Sequence, residues 1–435
     1  MHLTRSIYQL ALSTLVALPT AALAQTCTPD EIFAPEQRLL VGESPVDIAI
    51  GDLNGDGLMD IATANISDDN VSILLGRGDG TFTFGQPAGP SVGANGLAIG
   101  DMNADGLPDL VLVSLNNLVG VMTGRGDGTF EPQRSFGIGE APGDAPALGD
   151  LNGDGFLDLV AANRLGNDVS VLLGRGDGTL DAQRRFATGE VPLAPVLADL
   201  NGDSFLDLAV ANLQDNDVSV LLGRGDGMFR AEQRVPVGSG PRGVAISDLN
   251  GDRTLDLAVA NFGGDVSVLL GRGDGTFEVE RRFAAGIEPR GVVVGDLNGD
   301  GVRDIVVANN RSAGVSVLVG RGDGTFEAEQ RFGTGFSPEK LALQDLDDDG
   351  DLDLAVTTNN FDIMFGDEVS VLLNQCRPAT CQADLDGDGS LTIFDFLAFQ
   401  NLFDARDPVA DFDGDGEFTI FDFLAFQNAF DASCP

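Results

Sequence analysis

One acidic nine-residue motif occurs seven times in this chain and constrains its fold more than any other feature. The motif reads D-x-N-x-D-G-x-x-D, with a few substitutions among the copies, and an apolar run follows it at once. Consecutive copies start 48 or 49 residues apart, at Asp52, Asp101, Asp150, Asp199, Asp248, Asp296 and Asp345. A regular period of this length indicates a tandem array of one supersecondary unit.

The residues of one period predict four short strands. In the third repeat an apolar pair at 147–148 precedes the motif, short β-like runs at 159–163 and 169–173 follow it, and residues 183–188 can form another strand. Gly- and Asp-rich turns separate these runs, and none of them has the length of a helix. Four strands in a period of 48 or 49 residues describe one blade of a β-propeller, so the sequence predicts an all-β, seven-bladed propeller.

The two ends of the array predict how the ring closes. The last repeat stops at residues 369–373, before its fourth strand, whereas residues 33–42 align without gaps with residues 326–335 of the sixth repeat. We therefore expect an N-terminal strand to complete blade seven, because a closed ring hides the sheet edges that an open array exposes.

The repeat resembles a known family. The run Gly-Asp-Leu-Asn-Gly-Asp-Gly, followed by Asp-Leu-Val-Ala-Ala-Asn, is similar to the FG-GAP (VCBS-type) repeat of integrin α-subunit propellers and of many exported bacterial proteins. The resemblance covers about residues 33–375. It implies calcium in the loop between the first two strands of each blade, and it does not imply an integrin.

The motif itself offers oxygen ligands at its positions 1, 3, 5 and 9, a set that suits calcium rather than zinc or copper. The alternative is that the Asn-Gly and Asp-Gly pairs only form turns. Ser204 and Arg253 replace the glycine at position 6, so we expect weaker binding in blades four and five, and the highest ligand charge in blade seven. The predicted propeller ligands are Asp52, Asn54, Asp56, Asp60, Asp101, Asn103, Asp105, Asp109, Asp150, Asn152, Asp154, Asp158, Asp199, Asn201, Asp203, Asp207, Asp248, Asn250, Asp252, Asp256, Asp296, Asn298, Asp300, Asp304, Asp345, Asp347, Asp349 and Asp353.

Two further loops near the C-terminus, residues 384–395 and 411–422, fit the twelve-residue EF-hand pattern. They precede two similar helix-like segments and resemble a dockerin module, which implies a cohesin-like partner. At loop positions 10 and 11, however, they carry Ile-Phe instead of small polar residues, so the apolar faces could equally form the module's own core or dock on the propeller. The predicted ligands here are Asp384, Asp386, Asp388, Thr392, Asp395, Asp411, Asp413, Asp415, Thr419 and Asp422, for up to nine calcium ions in the whole chain.

The composition excludes several function classes. The only histidine is His2 and the only tyrosine is Tyr8, both in the N-terminal segment, and the chain has no tryptophan. No imidazole remains for a catalytic triad or a zinc site, so we predict no catalytic residues and no enzyme activity. The formal net charge of −43 argues against nucleic acid as a partner.

The N-terminal residues have the features of a secretory signal peptide. A basic residue, an apolar run at 7–18 and a small-residue pattern at 22–24 predict cleavage near Ala24 and export to the cell surface, periplasm or medium, and no segment has the length of a transmembrane helix. The predicted domains are a signal peptide (1–24), a propeller (25–376), a linker (377–383) and a dockerin-like module (384–435). Four cysteines in an exported chain suggest two disulfides. Their positions favour pairing Cys27 with Cys376 and Cys381 with Cys434 over the other connectivities.

Six Arg-Gly-Asp triplets also occur, at one phase of the repeat, and we interpret them as turns rather than as integrin ligands. The function that the sequence favours is an exported, calcium-binding, non-catalytic interaction scaffold. Its partner is an unknown protein or glycan, with the propeller as binding face and the C-terminal module as tether. A calcium-dependent glycan-binding propeller and an accessory subunit of an extracellular polysaccharide-degrading system are the alternatives.

Overall fold

The computed structural model describes residues 32–89, 93–359, 367–375, 393–406, 410, 412 and 419–431. They belong to two compact units, one within Cys27–Arg377 and the other within Pro378–Pro435. The predicted signal peptide, the linker and all four cysteines (Cys27, Cys376, Cys381 and Cys434) lie outside the described residues, so the predictions about them stay predictions.

The larger unit contains seven antiparallel four-stranded sheets, which we number as blades one to seven. The first strands are β2 (Pro45–Gly51), β6 (Ala94–Gly100), β10 (Ala147–Gly149), β14 (Pro192–Ala198), β18 (Pro241–Ser247), β22 (Pro289–Gly295) and β26 (Pro338–Gln344). The second strands are β3 (Asp60–Asn65), β7 (Asp109–Ser114), β11 (Asp158–Asn163), β15 (Asp207–Asn212), β19 (Asp256–Asn261), β23 (Asp304–Asn309) and β27 (Asp353–Thr358).

The third and fourth strands complete each blade. The third strands are β4 (Asn70–Gly76), β8 (Leu118–Met122), β12 (Asp168–Leu172), β16 (Asp217–Leu221), β20 (Asp265–Leu269), β24 (Gly314–Leu318) and β28 (Glu368–Leu372). The fourth strands are β5 (Phe82–Phe84), β9 (Arg134–Gly137), β13 (Arg184–Ala187), β17 (Gln233–Pro236), β21 (Arg281–Ala284), β25 (Gln330–Gly333) and, for blade seven, β1 (Gln37–Leu40).

The second strands form the centre of the hydrophobic core. Every residue of β19 in blade five is buried, because blades four and six pack against its two faces. Its sequence DLAVAN contains the uninterrupted apolar run Leu-Ala-Val-Ala, which is the pattern expected for a strand covered on both sides. The same arrangement recurs between neighbouring blades, so the core is a series of apolar layers around the ring.

The ring closes as the sequence predicts. Each first strand contacts the first strands of its two neighbours, and β26 of blade seven contacts β2 of blade one. The N-terminal strand β1 pairs antiparallel with β28, from Gln37 opposite Val371 to Leu40 opposite Glu368. Phe33 meets Phe332 edge-to-face with 5.1 Å between ring centroids, as Phe326 meets Phe283 one blade earlier. The predicted alignment of residues 33–42 with residues 326–335 is therefore confirmed.

Antiparallel order sends the connections alternately to the two ends of the ring. The loops from first to second strands and the turns from third to fourth strands lie at one end, which we call the motif end. The connections from second to third strands and from each blade to the next lie at the other end, which we call the opposite end. A site at one end is thus separated from a site at the other by the length of the strands.

The smaller unit contains two helices, α1 (Ile393–Ala405) and α2 (Ile420–Asp431). Phe399 stacks on Phe426 with ring centroids 4.2 Å apart, and Phe412 packs against both rings. Phenylalanine rings of the two helices therefore pack against each other. Of the two uses left open for these apolar faces, the described contacts support a core within the module.

Candidate metal loops

Each of the seven motifs forms the loop between the first and second strands of its blade, at the motif end of the ring. In blade one the loop begins at Asp52, directly after β2, and its last residue, Asp60, opens β3. The strands fix both ends of the loop, so its fold is set by the nine residues between them. All seven predicted motifs lie within the described residues.

The first aspartate holds the turn around its own carboxylate. Asp52 Oδ1 accepts hydrogen bonds from Gly55 N at 2.7 Å and Asp56 N at 3.2 Å, and Asp52 Oδ2 accepts one from Gly57 N at 2.9 Å. The bond from the sixth residue to the first occurs in all seven loops. The loop geometry is therefore the same around the ring.

The third and fifth residues bring two more oxygen-bearing side chains together. Asn54 Oδ1 accepts a hydrogen bond from Asp56 N at 2.8 Å, and Asn54 Nδ2 donates one to Asp56 Oδ2 at 3.0 Å. Leu58 N donates to Asp56 Oδ1 at 2.9 Å. The loop thus gathers carboxylate and amide oxygens in a single turn, the ligand type that hard divalent cations such as calcium take.

The ninth residue is a buried aspartate with a second role that the sequence did not reveal. Asp60 is fully buried, and its oxygens accept hydrogen bonds from Leu53 N at 2.9 Å and Gly76 N at 2.8 Å. Leu53 belongs to the same motif, whereas Gly76 ends the third strand, so the carboxylate ties the loop to the sheet. The equivalent pair of bonds is present in the other six blades. Each oxygen keeps a second lone pair that a metal could use.

Burial raises the pKa of every ninth-position aspartate, against the backbone hydrogen bonds that lower it. The pKa reaches about 6 in Asp158, Asp207 and Asp256. It reaches about 7 in Asp304 and Asp353. Aspartates of the same loop add to the rise, and a bound cation would reverse it, because opposite charge favours the ionised carboxylate.

The sixth residue has a left-handed backbone conformation in every loop, with φ between 69° and 94°. Glycine adopts this conformation without strain, but Ser204 and Arg253 occupy it in blades four and five with φ of 69°. Their amides still donate to the first aspartates at 2.8 Å. These loops keep their shape at a cost of about 1–2 kcal/mol each. That they bind metal more weakly stays a prediction.

The seventh loop has the closest grouping of carboxylates. Within the described part of the chain, it holds the one group of three acidic side chains whose oxygens already lie this close together. Oxygens of Asp345, Asp347 and Asp353 all lie within 4.8 Å of one another. Asp347 Oδ1 is buried and has no hydrogen-bond partner, and burial, followed by the charge of Asp349, raises the pKa of Asp347. A carboxylate oxygen left without a donor among like charges fits a cation, so these residues are suited to hold calcium.

The two C-terminal loops are described only at their edges. Of the predicted ligands in the second loop, the structure describes Thr419 and Asp422. Asp422 Oδ2 accepts a hydrogen bond from Thr419 N at 2.7 Å at the start of α2. Such a bond is one half of a helix capping box. The predicted ligands Asp384, Asp386, Asp388, Thr392, Asp411, Asp413 and Asp415 lie outside the described residues, as does the Asp395 side chain. The two helices follow the loops as expected, and the EF-hand assignment stays a prediction.

The Arg-Gly-Asp triplets lie in the turns after the third strands at the motif end, and hydrogen bonds join several of these turns to the preceding blade. In blade two, Asp127 Oδ1 accepts hydrogen bonds from Thr129 N at 3.0 Å and Thr129 Oγ1 at 2.5 Å. Gly128 N donates to Leu53 O, within the motif of blade one, at 3.1 Å. The equivalent bond between blades recurs at Gly178, Gly227 and Gly275. These contacts support the interpretation of the triplets as structural turns.

A second feature, which we call the axial pocket, was missed by the sequence analysis. It is a cavity of about 440 Å³ at the opposite end of the ring. One register position of the repeat lines it in all seven blades, as Val46, Asn95, Asp144, Leu193, Arg242, Arg290 and Glu339. These residues are 48 or 49 positions apart, so a comparison of the repeats position by position could have found them.

The fold and its loops define the class of this protein: a closed seven-bladed β-propeller with one acidic loop in each blade. The model of the FG-GAP-like repeat matches six overlapping segments, residues 52–112, 101–161, 150–210, 199–259, 248–307 and 296–356. Together these segments span well over half of the chain, and the chain belongs to the FG-GAP-like repeat family.

Solved structures share the fold at low sequence identity. BBS1N in complex with ARL6DN is 11% identical, with a TM-score of 0.56, over 80% of this chain and 98% of that one. A protein from Lactobacillus plantarum is 16% identical, with a TM-score of 0.55, over 69% and 89%. A catalytically inactive virginiamycin B lyase from Staphylococcus aureus, crystallised with quinupristin, is 15% identical, with a TM-score of 0.51, over 78% and 98%. At these identities the likeness extends to the fold alone.

No curated protein matches the chain in sequence. Among the helices that the structure describes, none is both long and apolar enough to span a membrane.

Proposed function

We propose that this chain is an exported, calcium-stabilised, non-catalytic interaction protein. The propeller presents a rigid binding surface, and the C-terminal module tethers it to another protein or assembly. The observation that carries the proposal is that seven loops of equal geometry are distributed one per blade around the ring. Sites arranged in this way stiffen a scaffold, whereas a catalytic centre would gather its groups at one place.

The chemistry of the loops supports a structural role for the metal. The residues that would hold calcium are the aspartates and asparagines of the motifs, and the ninth aspartate also binds the backbone of the third strand. A calcium ion would therefore link the loop to the sheet and would neutralise the carboxylates that lie together there. The only histidine of the chain is His2, so the residues that the structure describes include no imidazole base.

The calcium proposal predicts a higher melting temperature in calcium than in EGTA, because a ligand that binds only the folded state stabilises it. The variant Asp300→Asn removes one ligand charge at position 5 of the sixth loop and should reduce the increase. The matched control Glu140→Gln removes one negative charge from an exposed residue outside the loops and should leave the increase unchanged. An identical melting temperature with calcium and with EGTA would overturn the calcium part of the proposal.

The use of the propeller as a protein-binding surface has support from its fold. One structural relative, BBS1N, was crystallised in complex with ARL6DN. For the chain described here, a pull-down from the native secretome with the calcium-loaded protein tests the proposal directly. Turnover of a polymer or small-molecule substrate by the purified protein would contradict the absence of catalysis.

The tethering role of the C-terminal module is a separate part of the proposal. Its support is the pair of EF-hand-like loops that lead into α1 and α2, together with the phenylalanine core between these helices. A cohesin domain is the partner to try first. Calcium-dependent capture of the full chain, but not of a chain that ends at residue 377, is the expected result; equal capture of both would exclude the tether.

A further inference from the structure

The position that lines the axial pocket differs from blade to blade, although the repeats are otherwise alike. The second strands of blades four and five, for example, have the identical sequence DLAVAN. At the pocket position the same two blades carry Leu193 and Arg242, and the next blade carries Arg290. A ring of near-identical units therefore becomes asymmetric at a cavity that residues of all seven blades line, where a small-molecule ligand would contact more than one blade.

The axial pocket is cationic in a strongly acidic protein. Arg164, Arg242, Arg290 and Lys340 line it, with two carboxylates, Asp144 and Glu339, which leaves an excess of two positive charges. Asp47 interacts electrostatically with Lys340 and reduces this excess to one when it is ionised. The whole chain has a formal charge of −43, so the pocket is a local reversal of sign.

Two of the four cations are already neutralised. Arg290 pairs with Glu339, and Lys340 Nζ lies 3.1 Å from Asp144 Oδ2. The remaining two, Arg164 and Arg242, have no carboxylate within ion-pair distance among the residues that the structure describes. The uncompensated charge of the pocket therefore lies on these two guanidinium groups.

Arg242 is held in a fixed position. Its guanidinium lies over the ring of Phe262, 5.3 Å from the centroid, and its Nε is buried without a hydrogen-bond partner. Burial and the nearby charge of Arg290 both lower the pKa of Arg242. A half-buried cation in this setting is stabilised by an anion, and a guanidinium offers paired donors that match a carboxylate.

An apolar wall lies between the two unpaired arginines. Leu193 and Leu213, both from blade four, line the pocket, while Arg164 belongs to blade three and Arg242 to blade five. The cavity volume of about 440 Å³ is within the range of small-molecule sites. A ligand with an apolar body on blade four would thus reach a cation on either side.

We propose that the axial pocket binds a small organic acid, with its carboxylate on Arg242 and its apolar body against Leu193 and Leu213. The inference depends on the proposed function only because it treats the ring as a binding scaffold. It requires neither calcium at the motif end nor the C-terminal module.

The test is a fluorine NMR titration of the full chain with 4-fluorobenzoate, carried out once in calcium and once in EGTA. We expect saturable line broadening with the wild-type protein, and no saturation with the uncharged analogue 4-fluorobenzamide. Arg242→Gln should weaken binding by about tenfold or more, because it removes a charged hydrogen-bonding partner. Arg242→Lys keeps the charge but loses the planar guanidinium. Its affinity for 4-fluorobenzoate should therefore lie between that of the wild type and that of Arg242→Gln.

The matched control is Arg311→Gln, which removes an exposed arginine from blade six at the same end of the ring and should bind as the wild type does. If Arg242→Gln fails to fold, judged by its circular dichroism spectrum, the exposed rim variant Arg164→Gln takes its place, with a weaker but measurable loss expected. Absence of saturation with the wild type, equal binding of the benzamide, or unchanged affinity in the arginine variants overturns the inference. The calcium-dependent melting temperature is measured on the same samples, so a failure of the calcium proposal is distinguishable from a failure of this one.

Discussion

The seventh loop offers the sharpest test of how charge and metal interact in this ring. It differs from the other six because Asp347 occupies the third position, where the others have asparagine. Asp347→Asn therefore gives loop seven the same third residue as its six neighbours. We expect this variant to stabilise the metal-free protein and, at the same time, to reduce its response to calcium.

The size of the stabilisation follows from the distances between the carboxylates. Oxygens of Asp345, Asp347 and Asp353 lie within 4.8 Å of one another, so these three carboxylates form three like-charge pairs. At the permittivity of water each pair costs about 0.9 kcal/mol, and removing Asp347 eliminates two of the three, for a gain of about 2 kcal/mol. For a propeller of this size such a gain raises the melting temperature by about 3 °C.

The expected gain depends on pH. Burial raises the pKa of Asp353 to about 7, so folding favours its protonated form between pH 4 and 7, and the stability that it provides falls as pH rises through this window. At pH 5.5 a proton on Asp353 relieves part of the repulsion, whereas at pH 8 Asp353 is mostly ionised. The stabilisation by Asp347→Asn should therefore be larger at pH 8 than at pH 5.5.

Calorimetric melting in EGTA and in calcium, at both pH values, measures these effects. The reverse change, Asn298→Asp, introduces the same charge into loop six and should lower the melting temperature in EGTA while increasing the calcium response. A variant Asp347→Asn that is no more stable than the wild type in EGTA at pH 8 would refute the argument from carboxylate repulsion.

Three further predictions concern the backbone, the closure of the ring and a buried acid. Arg253→Gly should raise the metal-free melting temperature, because it removes a non-glycine residue from the left-handed conformation and so provides about 1 kcal/mol of stability. Gly301→Ser, where an added Cβ meets nothing within 4 Å, should lower the melting temperature by a similar amount. Opposite shifts in calorimetry would contradict the strain argument. Phe332→Leu should speed hydrogen exchange in the N-terminal strand, because loss of the edge-to-face contact with Phe33 costs about 1 kcal/mol, and unchanged exchange there would show that this contact does not secure the closure. Burial raises the pKa of Asp47 to about 6, so ionising it costs stability as pH rises from 4 through 6. The melting temperature of Asp47→Asn should therefore increase relative to that of the wild type over this range. Parallel pH profiles of the two proteins would contradict the assignment.

The blade architecture was predictable from the sequence because each of its signals is local and repeated. In blade three, the apolar runs at 159–163 and 169–173 became strands at Asp158–Asn163 and Asp168–Leu172, a displacement of one residue. Seven copies of the same pattern make an error in one copy unimportant. Even the closing strand was predictable, since residues 33–42 align with residues 326–335 of the sixth repeat.

The double role of the ninth aspartate was not predictable in the same way. Its position in the motif indicates a metal ligand, but its hydrogen bond to the end of the third strand joins residues about 16 positions apart, such as Asp60 and Gly76. A motif read along the chain carries no information about this partner. The bond depends on how the second and third strands pair, and that pairing became known only with the register of the sheet.

The axial pocket raises the same difficulty over a longer range, because its residues come from seven blades. Comparison of the repeats shows where such a site can be. The strands and motifs must stay alike for the ring to close, whereas the residue at the start of each first strand can vary. Leu193, Arg242 and Glu339 occupy equivalent positions and differ in charge, so the repeats accept different side chains here while their sheets stay alike. The motif end, where all seven loops are nearly alike, is therefore suited to holding the ring in shape, and the opposite end is where this propeller can distinguish one ligand from another.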